Sequence, residues 1–203
     1  MTKHAAIAAA LVLIALVGGT AIYTTFLASN DRMACGISSA VGADVGGPFE
    51  LVDVTGKAVT EAEVLARPAL VYFGYTYCPD VCPLDVARNA LAIDLMKENG
   101  VDVGLVFITV DPARDTPNVL AAYAEAMHPD MIALTGTEPQ IATVASAYRA
   151  YYERGEGEGD FYLMDHTTHT YLMLPGGRFG GVFGREETAE AIAEKSACLI
   201  RRL

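Results

Sequence analysis

Basic residues are scarce in this chain of 203 residues. It contains 14 lysines and arginines against 25 aspartates and glutamates, which gives a formal net charge of −11 at neutral pH. A surface with this excess of negative charge repels phosphate backbones, whereas basic proteins and cations remain suitable partners. The composition therefore argues against nucleic acid as a binding partner.

Charge is absent from a long stretch near the amino terminus. Between residues 5 and 30 the sequence AAIAAALVLIALVGGTAIYTTFLASN has no charged side chain, and about 20 apolar residues in a helix cross a bilayer. A cleaved signal peptide is the alternative, but its apolar core normally has about 7 to 15 residues, and a small-x-small cleavage site is hard to find here. We therefore predict a single-pass membrane anchor over residues 1–30.

The residues that flank this stretch predict its orientation. Lys3 and His4 precede it, whereas Asp31 and Arg32 follow it. Because positive residues are retained on the cytoplasmic side, this bias weakly favours a cytoplasmic amino terminus. We expect an inner-membrane protein whose soluble domain faces the periplasm. A lipid anchor at Cys35 is disfavoured, because the preceding DRMA places charges where a lipobox requires leucine and small residues.

The part beyond the anchor divides into a Gly-rich tether, residues 31–47, and a domain, residues 48–203. Within the domain, the apolar runs ALVYFG and VGLVFITV predict buried strands, and helical patterns alternate with them. Four apolar residues predict the first long helix: Leu84, Ala87, Leu91 and Leu95. TEAE, residues 60–63, is a capping box for a short helix, and Thr116 as the cap with Pro117 at the first position begins another. ERGEGEGD reads as a polar loop. The segment FYLMDHTTHTYLMLPGGRFGGVFG reads as a hairpin that turns at PGGR, and a closing helix follows it. This order predicts an α/β fold with a mixed sheet flanked by helices.

Cysteines are few, and two of the four stand in the segment YFGYTYCPDVCPLDVARNA. Because proline is tolerated in the first turn of a helix, we predict that a helix begins at about Pro83 and that Cys78 and Cys82 lie in the loop before it. The helix terminus favours thiolate over thiol, and a thiolate is both a nucleophile and a metal ligand. A structural disulfide is the alternative, but closing so short a loop adds little entropy.

Two of the four histidines are candidates for a third group at this site. His4 precedes the anchor, and we expect His128, at the end of a helix, to be a surface residue. His166 and His169 lie three residues apart in a predicted strand, so they face opposite sides and only one of them can reach the thiols. The residues alone do not decide between the two.

Four segments together resemble the Sco/SenC family: GGPFELVDVTGKAVT, VYFGYTYCPDVCP, VDPARDTP and DHTTHTYLMLPGGRF. This family consists of thioredoxin-fold copper proteins that help to assemble the dinuclear copper centre of cytochrome oxidase. The resemblance covers roughly residues 46–200. It implies a thioredoxin-like fold, a copper ion bound by Cys78, Cys82 and His166, and the copper-bearing subunit of cytochrome c oxidase as a partner. His169 falls outside the motif.

The chemistry of this ligand set agrees with copper. Two thiolates and one imidazole form a soft, trigonal set that suits Cu(I), and an added oxygen ligand allows Cu(II). A structural zinc site normally has four protein ligands. In thioredoxin-like folds a cis-proline opens the strand that faces the active-site loop. The segment Asp165–Thr167 resembles that position, from which His166 would point at the sulfurs.

Two further pairs of residues have alternative interpretations. Asp111 and Asp115 in VDPARD either orient a ligand or partner, or simply form a turn and cap the next helix. Tyr75 and Tyr77 flank the cysteine loop, where they either shield a metal from water or only pack.

These observations predict a membrane-anchored copper metallochaperone, which is a binding protein more than an enzyme. The alternative is a thiol-disulfide oxidoreductase in which Cys78 and Cys82 form a redox-active pair. Its partners would be the oxidase subunit or other periplasmic copper or thiol-redox proteins. The wider cysteine spacing and the additional imidazole argue against a general reductase. A peroxidase is weaker still, because TYCPDVCP replaces the TxxC pattern of the related peroxide-reducing families.

The copper site leaves two cysteines over, Cys35 and Cys198. In an exported domain cysteines are more often paired or ligating than idle. A disulfide between Cys35 and Cys198 would pin the tether to the closing helix. Two free thiols, or an intermolecular Cys35 link, are the alternatives.

Overall fold

The computed structural model describes residues 11–13, 15–20, 31–37, 45–159 and 161–203. From residue 45 onward the described chain contains nine strands and five helices. The strands are β1 (Glu50–Asp53), β2 (Ala58–Thr60), β3 (Ala69–Gly74), β4 (Gly104–Thr109), β5 (Met131–Thr135), β6 (Tyr152–Glu158), β7 (Phe161–His166), β8 (Thr170–Leu174) and β9 (Arg178–Phe183). The helices are α1 (Glu61–Val64), α2 (Val81–Glu98), α3 (Pro117–Met127), α4 (Glu138–Ala147) and α5 (Ala189–Ile200).

Seven strands form one mixed sheet in the order β2-β1-β5-β4-β3-β8-β9, and β6 pairs with β7 in a separate two-stranded sheet. Strands β3, β4 and β5 are parallel, whereas the other pairs are antiparallel. Every residue of β3 and of β4 is buried, as their continuous apolar sequences predict. The prediction of an α/β fold with a mixed sheet is confirmed. The parallel strands end at one edge of the sheet, and the cysteine loop follows β3 there.

Local capping signals set the starts of several helices. The hydroxyl of Thr116 accepts the N–H of Val119 at the start of α3, and Pro117 occupies the first helical position, where its missing N–H leaves no acceptor unsatisfied. Thr60 and Glu63 form the predicted capping box of α1. These short-range signals confirm the predicted helix starts.

The first long helix differs from its prediction in two respects. It begins at Val81, so Cys82 lies inside its first turn and not in the preceding loop, since proline is tolerated throughout that turn. The four apolar residues that predict the helix do share a face, but Leu84 and Leu91 are exposed. The sheet contacts another face of the helix. The buried residues of α2 include Cys82, Val86, Asn89, Ala90, Ile93 and Met96. Apolar spacing indicates a helix, but it does not tell which face meets the sheet.

Three other predictions are corrected. The segment ERGEGEGD is not a loop, because it forms most of β6 and pairs with β7. The predicted hairpin at PGGR comprises only β8 and β9, since β7 belongs to the other sheet. His128 is buried, with its Nε2 atom 3.3 Å from Asp94 Oδ1 and its Nδ1 atom accepting the N–H of Asp130. These two partners hold the ring against the end of α3.

The described part of the predicted tether packs on the domain. Cys35 and Ile37 are buried, and the Sγ atoms of Cys35 and Cys198 lie 2.11 Å apart in a disulfide. Ile37 covers Gly181 of β9, where an added Cβ would lie 2.3 Å from the Ile37 side chain. Residues 38–44 lie outside the described residues. The chain that follows the predicted anchor is therefore held against α5 and β9 at residues 35–37.

Most of the predicted membrane anchor, residues 1–30, also lies outside the described residues. Residues 11–13 and 15–20 are helical and exposed. Within the described part of the chain, no helix has the length and the apolar character that a membrane crossing requires. The anchor stays a prediction.

Candidate metal centre

Two free thiols lie where β3 passes into α2, and both are buried. The N–H of Cys78 donates to the carbonyl of Tyr75 and closes a turn after the strand. Cys82 occupies the second position of α2, where amide groups have no acceptor within the helix. Its N–H donates instead to Cys78 Sγ at 3.3 Å. The helix start thus supplies a backbone donor to one of the two sulfurs.

The third group comes from the end of β7. Nε2 of His166 lies 3.3 Å from Cys82 Sγ, and Nδ1 lies 3.0 Å from the carbonyl oxygen of Thr167. A carbonyl only accepts hydrogen bonds, so Nδ1 carries the proton and the Nε2 lone pair faces the sulfur. The neighbouring backbone therefore selects the tautomer that leaves Nε2 available to a metal.

The Sγ atoms of Cys78 and Cys82 and a ring nitrogen of His166 all lie within 4.8 Å of one another. Metal–ligand bonds of about 2.0 to 2.3 Å separate the ligand atoms of one ion by roughly 3.5 to 4.5 Å. The three donors are therefore spaced for a single ion. The prediction that His166 and His169 share a strand is wrong, because β7 ends at His166 and His169 lies in the connection to β8. His169 is exposed and does not belong to the metal-ligand group.

The two sulfurs differ in their protonation. A hydrogen bond from the Cys82 thiol, helped by the N–H groups of Cys82 and Asp80, lowers the pKa of Cys78 to about 3. The same hydrogen bond raises the pKa of Cys82, and burial raises it further. The pair therefore holds one proton at neutral pH, with the negative charge on Cys78.

This difference predicts how the reduced, metal-free chain reacts with iodoacetamide. Cys78 is expected to be alkylated at nearly the same rate at pH 5.5 and pH 8, because its thiolate is formed throughout that range. An ordinary cysteine, with a pKa of about 8.5, slows roughly tenfold for each pH unit below it. Peptide mapping by mass spectrometry measures the rate at each residue. The Cys78→Ser chain provides the control, in which labelling of Cys82 should rise with pH. A tenfold loss of Cys78 labelling per unit below pH 8 would contradict the assignment.

Aromatic rings enclose the site on the side of the sheet. The ring centroids of Tyr72 and Tyr75 lie 6.2 and 5.7 Å from that of His166, both edge-on. The hydroxyl of Tyr72 donates to Oδ2 of the buried Asp85 in α2 at 3.0 Å. Gly74 leaves room for the thiol, since a Cβ at that position would lie 3.1 Å from Cys82 Sγ. The predicted shielding role therefore suits Tyr75, whereas Tyr77 is exposed.

The sequence that forms this sheet and its three donors matches the model of a known protein family. The SCO1/SenC model matches residues 38–201, which include the whole seven-stranded sheet and all three donors. The chain belongs to the SCO1/SenC family.

Relatives and solved structures agree with this membership. Protein SenC of Rhodobacter capsulatus is 46% identical over 205 residues, covering 100% of this chain and 92% of SenC. The crystal structure of Arabidopsis thaliana ScoI with copper bound is 42% identical with a TM-score of 0.76, and the match covers 78% of this chain and 99% of ScoI. BsSco is described as a member of the Sco family of cytochrome c oxidase assembly proteins with a disulfide switch. It is 27% identical with a TM-score of 0.63, over 80% of this chain and 97% of BsSco. The thioredoxin-like fold is thereby confirmed.

Within this SCO1/SenC domain, Asp115 ties the cysteine loop to the sheet. Its carboxylate accepts the N–H and hydroxyl of Thr76 and the hydroxyl of Thr109. Thr116, and not Asp115, caps α3. Of the two interpretations of Asp115, the structure supports the one in which it orients the ligand-bearing loop.

Arg114 and Asp111 connect that loop to the strand that carries His166. The guanidinium of Arg114 lies 3.6 Å from the ring centroid of Tyr162 and 4.7 Å from that of Tyr77. Its Nη1 donates to the Tyr162 carbonyl, while the Tyr162 hydroxyl donates to Asp111 at 2.7 Å. Sequence reasoning missed Arg114 and Tyr162. The signal available in the sequence was an arginine between Asp111 and Asp115 in VDPARD.

Proposed function

We propose that this chain is a copper metallochaperone that binds one copper ion through Cys78, Cys82 and His166. It delivers the ion to the dinuclear copper site of cytochrome c oxidase. The observation that carries the proposal is the convergence of two free, buried thiols and one imidazole within 4.8 Å of one another. Membership of the SCO1/SenC family and the copper bound to Arabidopsis ScoI support copper as the cargo.

The donor set suits both capture and release. Soft sulfur and imidazole donors favour Cu(I) over the hard divalent cations, and a fourth oxygen donor would accommodate Cu(II). The Cys78 thiolate exists before the metal arrives, so only the proton on Cys82 must leave when both sulfurs bind. Three protein ligands also leave one position for an incoming ligand of the acceptor. Stepwise exchange can then transfer the ion without releasing it to water.

A direct transfer assay tests the proposal. The full chain, purified in detergent and loaded with one equivalent of Cu(I), is mixed with the metal-free soluble copper-binding domain of the oxidase subunit. The expected result is that copper co-elutes with the acceptor after the two proteins are separated. The control is a chelator whose Cu(I) affinity equals that of the acceptor, because it captures any copper that passes through free solution. Copper that stays on the chain at equilibrium would refute delivery.

A second function has one observation in its favour. Cys78 carries the negative charge at neutral pH and lies beside the protonated Cys82, as an attacking thiol does in disulfide exchange. The disulfide switch described for BsSco supports this alternative, in which the pair reduces cysteines of the oxidase subunit. His166→Ala separates the two functions, because an exchanging thiol pair does not need the imidazole. A reductase would keep its rate in that variant, whereas a copper chaperone would lose delivery.

The proposed location is the inner membrane, with the domain in the periplasm. The uncharged residues 5–30 support the anchor, and the Cys35–Cys198 disulfide is typical of an oxidising compartment. A carboxy-terminal fusion to β-galactosidase, which is active only in the cytoplasm, is expected to be inactive. The same fusion made without residues 1–30 provides the cytoplasmic control and should be active. An active fusion of the full chain would place the domain in the cytoplasm.

A further inference from the structure

The outer face of the β6–β7 hairpin is exposed and apolar at its centre. Along β7 the side chains alternate, so that Tyr162, Met164 and His166 face the domain while Phe161 and Leu163 face outward. Phe161 is 89% exposed and Leu163 is 55% exposed. Single exposed apolar residues are ordinary, but two large ones on the same face of a strand form a patch of the kind found at interaction sites.

The backbones of β6 and β7 approach each other closely beside this patch. The β6–β7 register shifts between Arg154 and Gly157. A Cβ on Gly155 would lie 3.0 Å from the Leu163 carbonyl oxygen, and one on Gly157 would lie 2.0 Å from that of Phe161. The close approach of the two backbones requires glycine at these positions. Across the ladder, Phe161 pairs with Glu158, and Leu163 lies opposite the bulge.

Negative charge surrounds the patch. Between residues 151 and 166 the sequence has five acidic residues and one basic residue. Glu153 and Asp165 are exposed cross-strand partners, and Glu156 is exposed at the bulge. The one basic residue, Arg154, stacks on Tyr162 with its guanidinium 3.8 Å from the ring centroid and donates to the Gly159 carbonyl. We define the hairpin face as Phe161 and Leu163 with the rim formed by Glu153, Glu156 and Asp165.

The hairpin is also held in place from beneath. Tyr162 lies between the guanidinium groups of Arg114 and Arg154, and its hydroxyl donates to Asp111. A surface that is ordered before binding loses little conformational entropy when a partner docks on it. The same strand ends in His166, so a partner on the hairpin face contacts the element that supplies the imidazole.

We propose that the hairpin face is the docking site for the protein that receives the copper, and that the receiving surface has an apolar centre with a basic rim. This inference rests on the proposed function and names the surface through which it operates. Apolar residues at the centre of an interface carry most of its affinity, while charges at the rim accelerate association. Two other occupants fit poorly. Anionic lipids would be repelled by the acidic rim, and a symmetric second copy would bring two acidic rims together.

The test measures docking and copper transfer separately. The probe is the metal-free soluble copper-binding domain of the oxidase subunit, and binding to the detergent-purified full chain is followed by calorimetry. Phe161→Ser/Leu163→Ser is expected to weaken binding at least tenfold and to slow copper transfer, with an unchanged copper stoichiometry. The matched control is Leu91→Ser, which changes a leucine that is 49% exposed on α2, about 13 Å along the helix from Cys82. This control should bind as the wild type does.

A second variant tests the rim without changing the patch. Glu153→Gln/Glu156→Gln is expected to reduce the association rate at low salt and to flatten its dependence on ionic strength. This variant also tests the docking proposal if the serine variant fails to load copper, because isosteric amides preserve the shape of the hairpin face.

The outcomes distinguish this inference from the proposed function. If the wild type binds the probe but transfers no copper, delivery is refuted and the docking face stands. The docking proposal is overturned if the wild type does not bind, or if the serine variant loads copper and binds equally well. Unchanged salt dependence in the glutamine variant also overturns it. Sedimentation completes the test, since a dimer that the serine variant dissociates without loss of probe binding would make this a self-association surface.

Discussion

Replacing any one of Cys78, Cys82 or His166 is expected to lower the copper affinity of the reduced full chain by roughly 100-fold or more, since even groups that only orient a ligand contribute about 10- to 100-fold. The variants are Cys78→Ser, Cys82→Ser and His166→Ala. Each removes one of the three donors that lie within 4.8 Å of one another. Two remaining donors cannot complete the trigonal set that Cu(I) prefers.

Competition with a Cu(I) chelator of known affinity measures this effect. The matched control is His169→Ala, which removes the same side chain three residues further along the chain, where the imidazole is exposed. It should bind one copper ion as tightly as the wild type. Equal losses from His166→Ala and His169→Ala would show that the wrong histidine, or a shared site, has been assigned.

Removing the disulfide is expected to have the largest effect on stability. The bond between Cys35 and Cys198 spans 163 residues, and closing a loop of that size restricts the unfolded chain by about 5 kcal/mol in the chain-entropy model. The double variant Cys35→Ser/Cys198→Ser should therefore lose about that much free energy of unfolding. Because a typical domain has only about 5 to 15 kcal/mol, this loss brings it close to unfolding.

Urea denaturation followed by circular dichroism measures the change. The comparison is the wild type unfolded without reductant, and Cys78→Ser, which leaves the disulfide intact, serves as the control. The folded double variant should still bind copper, since its three donors are unchanged. A loss of less than about 1 kcal/mol would contradict the entropic role, and would mean that the unfolded chain is already restrained near Cys35.

The disulfide also has a consequence for the geometry of delivery. If residues 1–30 form the proposed anchor, Cys35 follows it after only a few residues, and its bond to α5 holds the domain close to the membrane surface. A free tether of residues 31–47 would allow a much wider range of positions. The burial of Ile37 over Gly181 also restricts the position of the domain relative to the proposed anchor.

Elements with strong local signals could be predicted from the sequence. The runs ALVYFG and VGLVFITV are apolar throughout, and such strands are stable only when both faces are covered. Thr116 with Pro117 predicts the start of α3 because the cap and the missing N–H act within one turn. Choosing His166 over His169 required the family resemblance, because the predicted strand placed the two on opposite sides without showing which of them reaches the thiols.

Strand β6 and the exposed face of α2 could not be predicted in this way. The sequence of β6 alternates glutamate with glycine, which has low strand propensity, and it is extended because it pairs with β7. Leu84 and Leu91 have the spacing of a core face, yet the sheet contacts the opposite side of the helix. Arg114 was also missed, because its three aromatic neighbours come from two segments that are distant in sequence.

By itself, then, the sequence determined the features that depend on neighbours along the chain. These are the buried strands, the helix caps, the position of two thiols near a helix start and the excess of negative charge. Only the tertiary structure decided which groups meet. It brings His166 to Cys82, as the family resemblance implied, and joins Cys35 to Cys198, a pairing for which the sequence left alternatives open. It also brings Tyr162 to Arg114, which was not predicted. The physical reason is that capping and periodicity act over one or two turns, whereas these contacts join residues 48 to 163 positions apart, whose distances are set by how the sheet and its helices pack.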